Sequence, residues 1–171
     1  MALGLFGSAT AADLKVGYID SARIFQEFKD AQEAQARFDR QAQGWRDEAL
    51  EKEKLVKQLR DEMRDQSPIL SSLKRQEKEE ALQKAIAEHE RFVQSIWGPQ
   101  GRAAQENERT THEVVEQIRA VVEKIASDKG LDLVFDSAGG FLIYADKSLD
   151  LTSEVIRQLN EKSTAGTGGS R

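Results

Sequence analysis

The sequence contains no cysteine and only two prolines among its 171 residues. The absence of cysteine excludes disulfide bonds and thiolate metal sites. Because proline interrupts helices, its scarcity permits long uninterrupted ones. Aromatic residues are 6% of the chain, and no apolar run approaches the ~20 residues that span a bilayer. We therefore expect a small core, much exposed helix and no transmembrane segment.

An excess of positive charge is also missing. The chain has 30 acidic and 25 basic side chains, and the bases are interspersed with acids rather than clustered. This pattern argues against nucleic-acid binding as the main function. Residues 51–80 contain eight bases and eight acids, so this part of the chain is neutral overall.

Residues 1–11 are similar to the remains of a secretory signal. A short apolar start precedes Ala9-Thr10-Ala11, and this small-x-small pattern is typical of signal-peptidase sites. No Lys or Arg precedes the apolar run, which is too short for a complete signal. A signal truncated by a late start codon explains the pattern and predicts an exported protein; a plain disordered N-terminus is the alternative.

The middle of the chain, residues 31–128, is charged and helix-forming. It is interrupted at residues 67–68, where Ser-Pro favours the end of one helix and the start of the next, with Ser67 as its cap. A second interruption, Gly-Pro-Gln-Gly, falls at residues 98–101. We predict a helical hairpin with its tip near residues 67–68 and a kink or small loop at residues 98–101.

Strand-like pieces flank this middle on both sides. Residues 15–20 form the first candidate strand, and residues 131–136 and 141–144 are predicted to pair as a hairpin across a glycine turn. A chain with this order must fold out and back so that its ends meet. Asp20 or Ser21 is expected to cap the helix after the first strand and Thr152 the last helix, while Gly130 ends the return arm.

An apolar seam at alternating steps of three and four residues predicts that the arm packs along a partner helix. On the outgoing arm the predicted seam is Phe28, Ala31, Gln35, Phe38, Ala42, Trp45, Ala49, Lys52, Val56, Leu59 and Met63. On the return arm it is Leu82, Ile86, His89, Val93 and Ile96, then Thr111, Val115, Ile118, Val122 and Ile125.

Catalytic and metal sites are not predicted. His89 and His112 lack further ligands at useful spacing, and Asp132 with Asp136 is interpreted as a solvated strand face because no nucleophile or histidine accompanies the pair. We expect no enzyme activity and no cofactor. Trp45 is interpreted as a seam residue, whereas Trp97 could equally contact a bound partner.

The residues Lys15-Val16-Gly17-Tyr18-Ile19-Asp20, Arg23-Ile24-Phe25, Leu131-Asp132-Leu133-Val134-Phe135-Asp136 and Asp150-Leu151-Thr152 resemble the Skp/OmpH family of periplasmic chaperones. The likeness covers about residues 13–160. It implies an α+β homotrimer in which a long α-helical hairpin, a coiled-coil tentacle, projects from a small β-barrel body completed by trimerisation. The body residues implied are Val16, Tyr18, Ile19, Leu133, Val134 and Phe135; which residues contact client is left open.

The resemblance also divides the chain and implies a function. It assigns residues 13–30 and 129–160 to the body and residues 31–128 to the arm, with a disordered tail at residues 161–171. It implies an ATP-independent periplasmic holdase that encloses unfolded outer-membrane proteins and prevents their aggregation. A structural or adaptor coiled coil of the cell envelope is the alternative. The neutral arm leaves contact with membrane or lipopolysaccharide open.

Overall fold

A computed structural model describes residues 13–167, and the chain divides into two compact units. The terminal unit combines Met1–Gln32 with Val115–Arg171, and the middle unit is Glu33–Val114. Residues 115–128, assigned to the arm by the sequence analysis, thus fall in the terminal unit. The predicted signal remnant lies outside the described residues.

The described part of the chain is mostly helical with one long helical hairpin, as predicted, and it contains one pair of strands. The α-helices are α1 (Ser21–Glu27), α2 (Lys29–Gln66), α3 (Ser72–Trp97), α4 (Arg102–Lys129) and α5 (Thr152–Thr167). The strands are β1 (Val16–Ile19) and β2 (Leu133–Asp136). Short 3₁₀ turns lie at Ser67–Ile69 and Lys147–Leu149.

The two strands pair in parallel, with Val16 opposite Leu133 and Tyr18 opposite Phe135. Parallel neighbours need a long crossover connection, and here that connection contains α1 to α4. On the other side of β1, the N–H of Leu151 donates to the carbonyl of Tyr18 at 2.9 Å. β1 is therefore flanked on both sides, while β2 has β1 as its only partner in the described part of the chain.

The predicted hairpin between residues 131–136 and 141–144 is wrong. Residues 141–144 have no strand structure, because the chain turns away after β2. Both the N–H and the hydroxyl of Ser137 donate to the carbonyl of Ile19, at 2.8 and 3.0 Å. Gly140 then takes a positive φ of 74°, a conformation that costs glycine little.

Asp20 caps α1, as one of the two predicted alternatives. Its carboxylate accepts from the N–H of Arg23 at 3.0 Å.

The junction between α1 and α2 is held by Asn160, whose role was not predicted from the sequence. The side chain of Asn160 accepts from the N–H of Lys29 at 2.9 Å and donates to the carbonyl of Glu27 at 3.1 Å. α5 thereby ties the start of α2 into the terminal unit.

Three predicted helix boundaries need correction. α3 is capped by Ser71, whose hydroxyl accepts from the N–H of Lys74 at 3.4 Å, because the 3₁₀ turn displaces its start from Ser67. Thr152 is buried as the first residue of α5, and its hydroxyl accepts from the N–H of Asp20 at 2.9 Å. The disordered tail predicted from residue 161 is wrong as far as Thr167, because α5 continues to that residue; residues 168–171 lie outside the described part.

The seam predicted on α2 is confirmed with one change. Ten of its eleven positions are at least half-buried, whereas Gln35 is exposed and Ala34 is buried in its place. On α4, Ile118 and Ile125 are buried as predicted, but Val114 and Val121 are buried in place of Val115 and Val122, and Thr111 is exposed. Valine pairs stand at residues 114–115 and 121–122, so helical spacing alone does not decide which valine of each pair is buried.

The break at residues 98–101 is a closely packed turn. The N–H of Gly101 donates to the carbonyl of Gly98 at 2.8 Å. A Cβ atom at Gly101 would lie 2.3 Å from the backbone carbonyl oxygen of Ile96. The side chain of Ile96 is completely buried, so this residue has little room to move. The close backbone approach requires glycine at this position.

We predict that Gly101→Ala lowers the free energy of unfolding by about 1–3 kcal/mol, because the added methyl group forces the backbone of the turn to move. Gly44→Ala is the matched control, since a Cβ there meets nothing within 4 Å. In the interior of α2 it should stabilise by about 0.5–1 kcal/mol. Urea unfolding followed by circular dichroism at one protein concentration measures both; equal stability of Gly101→Ala and wild type would contradict the account.

Candidate functional site

The six residues expected to form the body lie on the paired strands of the terminal unit. Ile19 is buried at 9% exposure, so its own chain already covers it. Leu133 and Phe135 on β2 are 46% and 48% exposed. The structure therefore brings the predicted residues together on two strands and leaves Leu133 and Phe135 half uncovered.

Residues 141–144, the apolar segment, are the most exposed large apolar group near this sheet. Phe141, Ile143 and Tyr144 are 93%, 97% and 84% exposed. Side chains of this type rarely lie together in water unless another surface covers them. The strand-forming residues of this segment are evident in the sequence, but the predicted pairing with β2 is wrong.

An open groove of about 420 Å³ lies in the terminal unit, next to the last residues of the two strands, Ile19 and Asp136. Its apolar walls come from Ile19, Phe25, Val115, Ile118 and Val122. Val115 and Val122 were predicted to be seam residues, but they line this groove instead. Together with the apolar segment, the groove makes the terminal unit rich in uncovered apolar surface.

The acidic pair Asp132 and Asp136 serves the backbone. The carboxylate of Asp132 accepts from the N–H of Lys15 at 2.8 Å. Asp136 accepts from the hydroxyl and the N–H of Ser21, at 2.6 and 3.1 Å, and from the N–H of Ala138 at 3.0 Å. Both side chains fix the ends of β2 against the start of the chain.

These contacts change the acidity of Asp136. Partial burial acts to raise the pKa of its carboxyl, but the hydrogen bonds from Ser21 and Ala138 outweigh burial and hold the pKa below its ordinary value of 3.8. A lowered pKa means that the folded state favours the charged form. The contribution to stability is therefore present above pH 3.8 and is lost as the pH falls through the lower value of the folded protein.

In the middle unit, Trp45 is a seam residue as predicted. It is buried with Ala42 and Ile96 in a cluster that Phe38, Phe92 and Ala103 complete. The guanidinium group of Arg102 lies 5.7 Å from the centre of its ring, within range of a cation–π contact. Trp97 is 43% exposed at the end of α3.

The charged run at residues 74–80 is exposed helix with local pairs, and Lys74 binds Glu77 at 2.7 Å. Lys78 instead forms an ion pair across the hairpin with Glu62 at 2.9 Å.

Between residues 13 and 167, no group of three or more histidine or acidic side chains is arranged to hold a metal ion. None of the helices in that range is long and apolar enough to cross a membrane.

Comparison with known proteins gives consistent results. Residues 15–159 match the family described as outer membrane protein (OmpH-like). The chaperone protein Skp of Yersinia enterocolitica is 24% identical over 161 residues, which cover 93% of this chain and 94% of that protein. The crystal structure of an OmpH-like outer membrane chaperone from Caulobacter crescentus CB15 superposes with a TM-score of 0.77 at 13% identity. That superposition covers 94% of this chain and 92% of the other, and it supports the fold.

We predict that Trp45→Ala destabilises the protein by about 3–5 kcal/mol, because it removes a large buried side chain from the cluster at the break. Trp97→Ala should cost less than about 1 kcal/mol, since much of this ring is already in water. Urea unfolding of both variants measures the difference. Similar losses for the two variants would contradict the assignment of Trp45 to the hairpin core.

A second prediction concerns Asp136→Asn. At pH 7 this substitution should lower the free energy of unfolding by about 1 kcal/mol, because it weakens hydrogen bonds to a charged acceptor that is partly screened by solvent. The difference from wild type should shrink at pH 3, because below the ordinary pKa of 3.8 the unfolded chain binds a proton that the folded carboxylate resists. Urea unfolding at both pH values gives the comparison; a difference that is unchanged at pH 3 would show that the charge is unimportant.

Proposed function

The chain belongs to the OmpH-like family of outer membrane proteins, and we propose that it is an ATP-independent holdase chaperone of the periplasm. In this proposal it encloses unfolded outer-membrane proteins between helical arms and prevents their aggregation. It acts by binding and not as an enzyme. The similarity to the chaperone protein Skp along almost the whole chain supports the assignment to chaperones.

The observation that carries the proposal is the incomplete sheet of the terminal unit. Two strands with one apolar face are marginally stable alone, whereas three or more strands form a stable sheet. β2 presents the half-exposed Leu133 and Phe135, and the apolar segment lies exposed a few residues later. An unpaired strand edge of this kind is a template for pairing with another chain.

We infer that further copies of the chain complete this sheet as a trimeric barrel body. The segment at residues 141–144 supplies the additional strand, and Val16, Tyr18, Val134 and the exposed β2 side chains line the contact. Residues 13–30 and 129–160 make the body, and residues 31–128 make the arm. Three arms held by one body would surround a space in which a client is kept from other unfolded chains.

The hairpin composition supports weak and varied binding. Two of the four buried residues of α2 within the middle unit are alanines, Ala34 and Ala42, and the larger ones are Trp45 and Val56. Small side chains bury little apolar area, so each contact contributes little. A chaperone without an energy source needs many weak contacts that a client can leave as it folds.

The experiment measures mass and aggregation in parallel. Light scattering should give about three times the chain mass of 19.1 kDa. Dilution of a urea-unfolded outer-membrane β-barrel into the protein should give reduced turbidity without ATP, at a defined number of trimers per client. A stable monomer would remove the proposed cavity, and a trimer that leaves turbidity unchanged would favour the adaptor coiled coil instead.

A double variant tests the apolar segment. Phe141→Asp with Ile143→Asp places two charges where the proposed strand would be buried, so it should shift the mass toward that of one chain while the helix content by circular dichroism is retained. Lys147→Asp is the control, because it introduces the same side chain at an exposed site in the following 3₁₀ turn. A double variant with the mass of wild type would contradict the role given to this segment.

A further inference from the structure

The hairpin of the middle unit is tightly packed at one end and loosely packed at the other. Near the break, Ala42 and Trp45 are at most 8% exposed and Ile96 is completely buried. Between residues 46 and 95, Val56 and Ala85 are the only buried residues among those whose side chains are described. The two helices therefore meet without filling the space between them along most of the hairpin.

A groove of about 700 Å³ opens in this loosely packed part. Leu50 and Val56 of α2 and Ile86 of α3 give it apolar walls. The volume falls within the range of about 300–1,000 Å³ that ligand sites occupy. From Leu50 to Asp61 the groove follows α2 for about 16 Å, the length of about five residues of extended chain.

The rim of this distal groove carries unpaired charges of both signs. Lys54 binds Glu51 at 2.6 Å, and Asp61 binds Arg64 at 3.2 Å. In contrast, the rim residues without an ion pair in the described part of the chain are Glu53, Lys57, Arg60 and Glu90.

Free donors and free acceptors around an apolar floor fit an extended polypeptide. Its backbone offers both N–H and C=O groups, and its side chains point alternately to two faces. A nucleic acid or an anionic membrane surface presents mainly acceptors, and the free carboxylates of Glu53 and Glu90 would repel it. The chemistry of the rim thus discriminates between these partners.

We propose that this distal groove binds an extended, largely apolar stretch of an unfolded polypeptide, about five residues at a time. The inference rests on the proposed holdase function and names the arm residues that contact the client. Leu50 is the central contact, because it is 48% exposed and lines the groove. The groove lies within the hairpin, so each arm would carry a complete site.

A peptide-binding experiment tests the groove directly. The probe is a fluorescein-labelled 12-residue peptide of alternating valine or tyrosine and serine or threonine, and anisotropy reports its binding to the full-length protein. Leu50→Gln should weaken binding about fivefold, because it removes partly buried apolar area from the complex. Leu55→Gln is the matched control: Leu55 is 46% exposed on the same helix and does not line the groove. It should change affinity less than about twofold.

A second readout does not depend on affinity. A photo-reactive benzoylphenylalanine at position 50 should cross-link to the peptide, and the same group at position 55 should not. Circular dichroism of each variant checks that the helices are retained. Equal effects at positions 50 and 55, or no binding of the peptide to wild type, would overturn the proposal.

Further measurements separate the failure of the groove proposal from the failure of the holdase function on which it rests. If wild type suppresses client aggregation and Leu50→Gln does so equally well with unchanged peptide affinity, the groove is wrong and the holdase function stands. If wild type fails to suppress aggregation, the holdase function itself fails. In a last experiment, vesicles of phosphatidylglycerol replace the peptide. If Leu50→Gln loses vesicle binding but keeps peptide binding, the occupant of the groove is a lipid and the proposal is overturned.

Discussion

The parallel pairing of β1 with β2 is the constraint on which the rest of the structure depends. It joins Val16 to Leu133 and thereby closes a loop that contains α1 to α4. Such a long closure costs conformational entropy, and few ladder bonds offset it here. The hydrogen bonds of Asp136 with Ser21, of Ser137 with Ile19 and of Thr152 with Asp20 reinforce the same junction.

The two units use apolar burial differently. In the terminal unit, buried residues such as Ile24, Phe28 and Val155 are at most 1% exposed, which gives a well-packed anchor. In the middle unit the hairpin is held by the Trp45 cluster and by few large side chains beyond it. In the proposed function, the well-packed terminal unit joins the copies of the chain, and the loosely packed groove of the middle unit adapts to different clients.

Sequence reasoning identified the elements better than their contacts. The helical period of α2 could be recognised in the sequence because one apolar face continues over many turns. Its seam was therefore predicted correctly except at Gln35, which is exposed while Ala34 is buried. On α4 the sequence offers two adjacent valines at residues 114–115 and again at 121–122, and local spacing does not decide which valine of each pair is buried. The partner of β2 was missed because pairing with β1 is set by contacts more than a hundred residues apart. The role of Asn160 was missed for the same reason.

Hydrogen exchange of the backbone amides at residues 141–144, measured over a range of protein concentrations, tests most directly whether copies of this chain complete the sheet. In an isolated chain these amides have no strand partner, so they should exchange rapidly at concentrations where the protein dissociates. The account predicts strong protection that appears together with association and leaves the amides of α2 less affected. Rapid exchange of residues 141–144 in a fully associated sample would contradict it.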